Sequence, residues 1–278
     1  MATAIYNPPP DGLTKIRYLF IDGGCLDSVL ATFSKELLSD QEIEIDYSRL
    51  AQGYQKVFYY HCLPAQKSDE NDLAYQIRIK PKIDLFNKLK SLDRFHVYEG
   101  TARFRDKRRG QEQKQVDTMI AVDMLTHSFR RNMHEATLIT GDLDFKPLID
   151  ALVQDGMYVS LWYPKGRVNY ELVDAADSKQ PLRFNFVQQW FTNRFNSKIN
   201  IPATTQPKLS DIGGIEWKQL EKIEKNYEAV LYEKQSNFAA IVKNKDGDDF
   251  VLKHNNLNQL KFYVDHVYGL DVSRQYDH

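Results

Sequence analysis

A chain of 278 residues, 42% hydrophobic and 27% charged, is long enough for one sizeable α/β core with a smaller appendage, and its net charge of −1 excludes a uniformly basic nucleic-acid coat, so any polyanion site is a local patch. Two cysteines, Cys25 and Cys62, make neither a disulfide framework nor a zinc spacing. No apolar run approaches the roughly 20 residues of a membrane span, and with no charged-then-apolar leader at the start a reducing cytoplasm is the expected setting.

Residues 1–14 carry three consecutive prolines and read as an extended arm. The run 16–21, ended by Asp-Gly-Gly, suits a buried parallel strand, and 26–38 has helical spacing of apolar positions. A short helix is expected over 46–52 and a strand over 56–63; 69–92 then reads as one helix or two, broken near Pro81. Residues 94–99 form the next strand candidate, 101–114 a polar and basic loop or hairpin, and 116–130 a helix. A strand over 136–140, a helix over 145–154 stopped by Gly156, and a last strand over 157–162 complete an alternation that indicates a parallel sheet covered on both faces. The stretch 197–212, with two prolines, reads as a linker. Beyond it the pattern predicts a small α+β module over 213–278: a helix at 217–226, strands at 229–232, 238–242 and 250–253, and a closing amphipathic helix at 257–267.

The chemistry concentrates at element edges. Asp22 closes the first strand, Asp117 opens a helix, and Asp142 and Asp144 lie between a strand and a helix. Open α/β sheets place their sites at the carboxyl ends of strands, and the strands ending near Asp22 and Asp142 would flank a switch point if they were neighbours on opposite sides of the first crossover. Each acid alone has an ordinary reading as a turn residue, a helix cap or a first-turn acid. Four together in one cleft would repel severely unless a hard divalent cation neutralised them, which points to metal-dependent phosphoryl transfer.

In the order FIDGGCL, IDYSRL followed by VFYY, KQVDTMIAVDML and LITGDLDFKPLIDAL, the chain resembles the NYN domain family of PIN-like ribonucleases, over roughly residues 16–190. GMYVSLWYP and ELVDAAD add weaker support. The resemblance implies a three-layer PIN-like α/β domain over residues 15–196 with a central parallel sheet, and RNA cleavage dependent on Mg²⁺ or Mn²⁺ held by Asp22, Asp117, Asp142 and Asp144. It also suggests a phosphate contact for Lys114; Asp123, six residues past Asp117, points around the helix and is left an indirect role. One departure stands out: Cys25 occupies the place where the family usually carries asparagine, and a thiol is a much weaker hydrogen-bonding partner. Phosphatases of the haloacid dehalogenase type also pair an early strand-end aspartate with a later Gly-Asp, but they need a second acid two residues on, where this chain has Gly24.

Just upstream of Asp117, Arg103, Arg105, Lys107, Arg108, Arg109 and Lys114 outnumber Asp106 and Glu112, and a basic loop beside an acidic site gathers phosphates without sequence preference. Phe104 offers a ring for base stacking. His61, His96, His127 and His134 show no ligand spacing and receive no catalytic role; Tyr59, Tyr60, Trp162 and Tyr163 are read as core. The sequence thus describes a metal-dependent endoribonuclease acting on single-stranded or structured RNA, with a noncatalytic RNA-binding scaffold of the same fold as the competing class. The C-terminal module is open to RNA docking, self-association or a protein partner.

Overall fold

The computed structural model describes residues 15–101, 114–205, 212, 217–224, 227–243 and 249–269. Strand β1 (Arg17–Asp22) leads into α1 (Gly23–Leu37), then α2 (Tyr47–Leu50), β2 (Lys56–Leu63), α3 (Asp72–Lys90) and β3 (Phe95–Thr101). The second half runs α4 (Lys114–Phe129), β4 (Glu135–Ile139), a 3-10 turn at Leu143–Phe145, α5 (Lys146–Gln154), β5 (Tyr158–Tyr163), α6 (Tyr170–Ala175) and β6 (Ser178–Pro181). These six strands are parallel, in the order β3-β2-β1-β4-β5-β6. The chain therefore winds outward from β1 in one direction, returns through α4, and winds outward in the other, which makes the β1/β4 junction the switch point.

Strand alternation divides the core. Leu19 and Ile21 of β1 pack with α1 and α3 on one face, while Tyr18 and Phe20 pack with α4, α5 and α6 on the other. The result is the three-layer α/β arrangement expected from the alternating pattern. No helix among the described residues is long and apolar enough to cross a membrane.

Three element expectations need correction. Helix α3 runs unbroken through Pro81; burial of Ile79, Phe86 and Leu89 on both sides of the proline holds the axis despite the lost backbone donor. The strand over 157–162 is not the last, because Ser178–Pro181 adds a sixth at the sheet edge, where a proline is tolerated and a polar strand carries no periodic signal. The helix expected at 217–226 is not found: Lys218–Glu224 is a strand, charged along its length and at the edge of its sheet among the described residues. Its good helix formers yield to pairing with the next strand, and its charges suit an exposed edge.

The remainder runs through α7 (Phe184–Val187), α8 (Asn193–Asn196), β7 (Ala203–Thr205), β8 (Lys218–Glu224), β9 (Glu228–Lys234), β10 (Asn237–Val242), β11 (Phe250–His254) and α9 (Leu257–Tyr268). A second sheet has the order β7-β11-β10-β9-β8, antiparallel at each pairing, so part of the stretch 197–212 is a strand. This sheet and α9 do not hang free. Leu231, Leu252, Leu260 and Val264 belong to the same apolar cluster as Phe33 and Leu37 of α1 and Phe184 of α7. Lys165 Nζ donates to the carbonyls of Asp265, His266 and Gly269, Arg183 donates to those of Val267 and Gly269, and Phe33 meets the His266 ring edge-on with centroids 4.9 Å apart. Cations at the carboxyl end of α9 satisfy carbonyls the helix leaves open.

Because Leu260 is fully buried in that shared cluster, Leu260→Ala is expected to destabilise by about 2–5 kcal/mol and to shift one cooperative urea transition followed by circular dichroism. A separate early transition, with the main one unmoved, would mean that the two sheets unfold independently.

Candidate active site

The site forms where β1 and β4 part. Asp22 is both the last residue of β1 and the N-cap of α1: its Oδ1 accepts from the backbone N–H groups of Gly24 and Cys25 at 3.0 and 3.1 Å. Its Oδ2 accepts from Thr140 Oγ1 at 3.1 Å, and the same Thr140 oxygen accepts from Asp142 N at 3.3 Å. One buried hydroxyl thus joins the ends of the two strands. Burial pushes the Asp22 carboxyl up from its ordinary value, and the hydrogen bonds from Cys25, Thr140 and Gly24, with the charge of His61, pull against that rise.

Asp142 caps the 3-10 turn, its Oδ1 accepting from Asp144 N at 3.0 Å, and both acids are exposed at the mouth of the cleft. Asp117 reaches in from the first turn of α4. Its carboxyl is pushed up to about 6, first by burial and then by the negative charges of Asp22, Asp142 and Asp144. Asp117 thus feels the charges of the other three acids, which lie after β1 and β4 at the switch point. Their placement depends on close packing: a Cβ at Gly23 would lie 2.5 Å from His61 Cδ2, and one at Gly141 2.9 Å from the ring of Pro164.

In kind, the donors suit a hard divalent cation, since all are carboxylate oxygens. In spacing they are ranged around the cleft rather than closed on a point: among the described residues, no three acidic, histidine or cysteine side chains are gathered closely enough to hold an ion. The Cys25 thiol lies among them; burial, then Asp22 and Asp142, push it up, against a backbone hydrogen bond from Gly141, and keep it protonated. Cys62, buried on β2, is likewise pushed up by burial and then by Asp117 and Asp22.

Other residues singled out by the sequence fall elsewhere. Asp123 accepts from the Tyr60 hydroxyl at 2.7 Å. Lys114 is the first residue of α4; Arg103, Arg105, Arg108 and Arg109, with Lys107 and Phe104, lie outside the described residues. The sequence pattern did not point to Thr140, whose only signal was a hydroxyl directly after an apolar strand. Nor did it point to His61, which faces the first turn of α1 and bonds to Asp27 at 2.9 Å.

A model of the NYN domain family matches residues 31–182, more than half of the chain; the matched span holds Asp117, Asp142 and Asp144 and begins after Asp22. A crystal structure of a protein of unknown function from Vibrio parahaemolyticus is similar at 16% identity, covering 64% of this chain and 96% of that one with a TM-score of 0.43. No curated protein matches.

Asp117 carries a pH dependence of definite sign. The folded chain holds its proton more tightly than the unfolded chain, where the carboxyl has its ordinary value of 3.8, so its contribution favours folding below that value and is lost as pH rises through about 6. In EDTA, Asp117→Asn is expected to be more stable than the wild type at pH 7 by on the order of 1 kcal/mol after solvent screening, and equal to it near pH 4. Thermal unfolding at both pH values checks this; equal stability at neutral pH would remove the repulsion. Thr140→Val, which strips the donor from Asp22 Oδ2, is expected to cost about 1–3 kcal/mol in urea unfolding at pH 7.

Proposed function

The chain belongs to the NYN domain family, a family of PIN-like ribonucleases, and from that premise we propose that it is an endoribonuclease that hydrolyses RNA phosphodiester bonds with a divalent metal, Mg²⁺ or Mn²⁺. The observation that carries the proposal is the setting of Asp117, whose carboxyl is raised first by burial and then by the charges of three other aspartates that follow two different strands. Packing that much like charge at a switch point is unfavourable without a cation to offset it.

Asp22, Asp117, Asp142 and Asp144 would hold the metal. Such an ion, when bound, lowers the pKa of a water and stabilises charge on the leaving oxygen. Asp22 is held rigid by three hydrogen bonds and Asp142 by its turn, so these two set the geometry. Asp144 is exposed and open to an entering substrate. Water attack at phosphorus forms one P–O bond and breaks that to the 3′ oxygen, giving a 5′-phosphate and a 3′-hydroxyl. Lys114 and the arginines at 103, 105, 108 and 109 would gather the flanking phosphates. In this reading residues 15–196 are the catalytic unit, 197–212 connect, and 213–278 are an accessory module beside it.

A second reading, a noncatalytic RNA-binding scaffold, is favoured by Cys25 at the family's usual asparagine position. The two separate in one assay. Labelled single-stranded and structured RNAs are incubated with protein in Mn²⁺, Mg²⁺ or EDTA, beside Asp144→Asn at matched stability. Metal-dependent cutting that falls at least about 100-fold in the variant is expected; RNA binding without cutting in any metal would establish the scaffold. Cys25→Asn, which restores an amide donor beside Asp22, is expected to raise the cleavage rate about five-fold, equivalent to about 1 kcal/mol; an unchanged rate would show that position 25 does not touch the reaction.

A further inference from the structure

Helices α1 and α3 and the chain after α1 line a groove of about 760 Å³ that Asp27 and Lys82 border, with His61 bonded to Asp27. Asp27 Oδ2 receives both partners: His61 Nε2 lies 2.9 Å away and Lys82 Nζ makes a close ion pair, with Lys82 Nζ 3.2 Å from His61 Nε2. His61 Nδ1 is 2.8 Å from the Cys62 carbonyl, which only accepts, so Nδ1 carries a hydrogen and the ring is fixed in orientation. Both contacts to Asp27 fall on Oδ2 of a side chain that is 40% exposed and borders the groove, so Oδ1 is outside these bonds.

The cluster adjoins the cleft. Asp27, on α1, follows its N-cap Asp22 by five residues, about 7–8 Å along the helix axis. His61 follows Tyr60, the register partner of Asp22, and its ring fills the space a side chain at position 23 would need. Leu30, Tyr47 and Leu85 supply apolar walls, and Asp40, Glu42 and Glu44 outnumber Lys88 along the rest of the lining. That acidic lining repels phosphate, so a nucleotide bound here would insert its uncharged base and leave its phosphates outside.

We propose that this groove is a nucleobase pocket for the nucleotide next to the scissile phosphate, and that the base it fits is guanine; the proposal rests on the ribonuclease reading for its role and not for its binding. The Watson–Crick edge of guanine places two adjacent N–H donors beside a carbonyl oxygen. Asp27 Oδ1, an acceptor with two lone pairs, would take both donors, and the Lys82 ammonium would donate to the oxygen. Uracil and cytosine lack the adjacent pair of donors, and adenine lacks the carbonyl. A pocket that pairs polar groups in this way discriminates because a wrong base leaves them buried and unmatched. The volume lies within the range of small-ligand sites.

The test measures binding of guanosine, adenosine, cytidine and uridine 5′-monophosphates to the full chain by calorimetry in EDTA, so that neither metal nor turnover is needed. The expected result is that the guanosine nucleotide binds at least ten-fold more tightly than the uridine nucleotide. Ala31→Trp, at an exposed position of α1 lining the groove, should weaken that binding at least ten-fold, and Asp27→Asn should abolish the discrimination with the unfolding midpoint retained. Equal binding of all four nucleotides, no binding, or binding indifferent to Ala31→Trp would each overturn the pocket. Asp144→Asn, which sinks cleavage if the ribonuclease reading holds, should leave nucleotide binding unchanged, so the two readings fail separately.

Discussion

The hydroxyl of Thr140 is the interaction on which the cleft depends. It is fully buried, donates to one oxygen of Asp22 and accepts from the backbone of Asp142. A parallel sheet that reverses direction between β1 and β4 leaves a crevice there, and backbone pairing stops before Asp142. The threonine carries the connection across that gap. It also offsets part of the burial that disfavours the Asp22 charge, so the carboxylate is kept in place in a site where its neighbours repel it.

Helix α1 links this cleft to the rest of the molecule. Its first turn is capped by Asp22, its second carries Asp27 toward the groove, and Phe33 and Leu37 at its far end pack against the second sheet and α9. The carboxyl end of α9 is held by Lys165 and Arg183, which come from just after β5 and β6. His266 at that junction accepts from Phe184 N–H at 3.1 Å, and burial, followed by Lys165 and Arg183, pushes its pKa down to about 3, so it remains a neutral acceptor there. A displacement of the second sheet would therefore act on the same helix that Asp22 caps.

Cys25 is accommodated beside the acids without adding to their charge. Its thiol is kept protonated by burial and by Asp22 and Asp142, so it adds no negative charge to a cleft already crowded with it. What it withholds is the pair of amide donors that asparagine would present to a carboxylate or a phosphate. The fold is indifferent to that exchange, since Asp22 is held by backbone groups and Thr140; the chemistry need not be.

Local pattern by itself determined the parallel α/β core, the strand-end positions of Asp22 and Asp142, and Asp117 in the first turn of a helix, because buried strands and amphipathic helices write their periods into nearest neighbours along the chain. The motif order also carried the family. Tertiary structure decided what depends on contacts distant in sequence. The continuity of α3 through Pro81 rests on packing, β6 exists because β5 offers it an edge, and Lys218–Glu224 is a strand because β9 pairs with it despite its helix-forming residues. The same holds in the site: Thr140 and Asp22 are 118 residues apart, and His61 and Asp27 are 34 apart. Neither pair has a spacing that a sequence could announce, since side chains so far apart become neighbours only through the order in which the strands assemble.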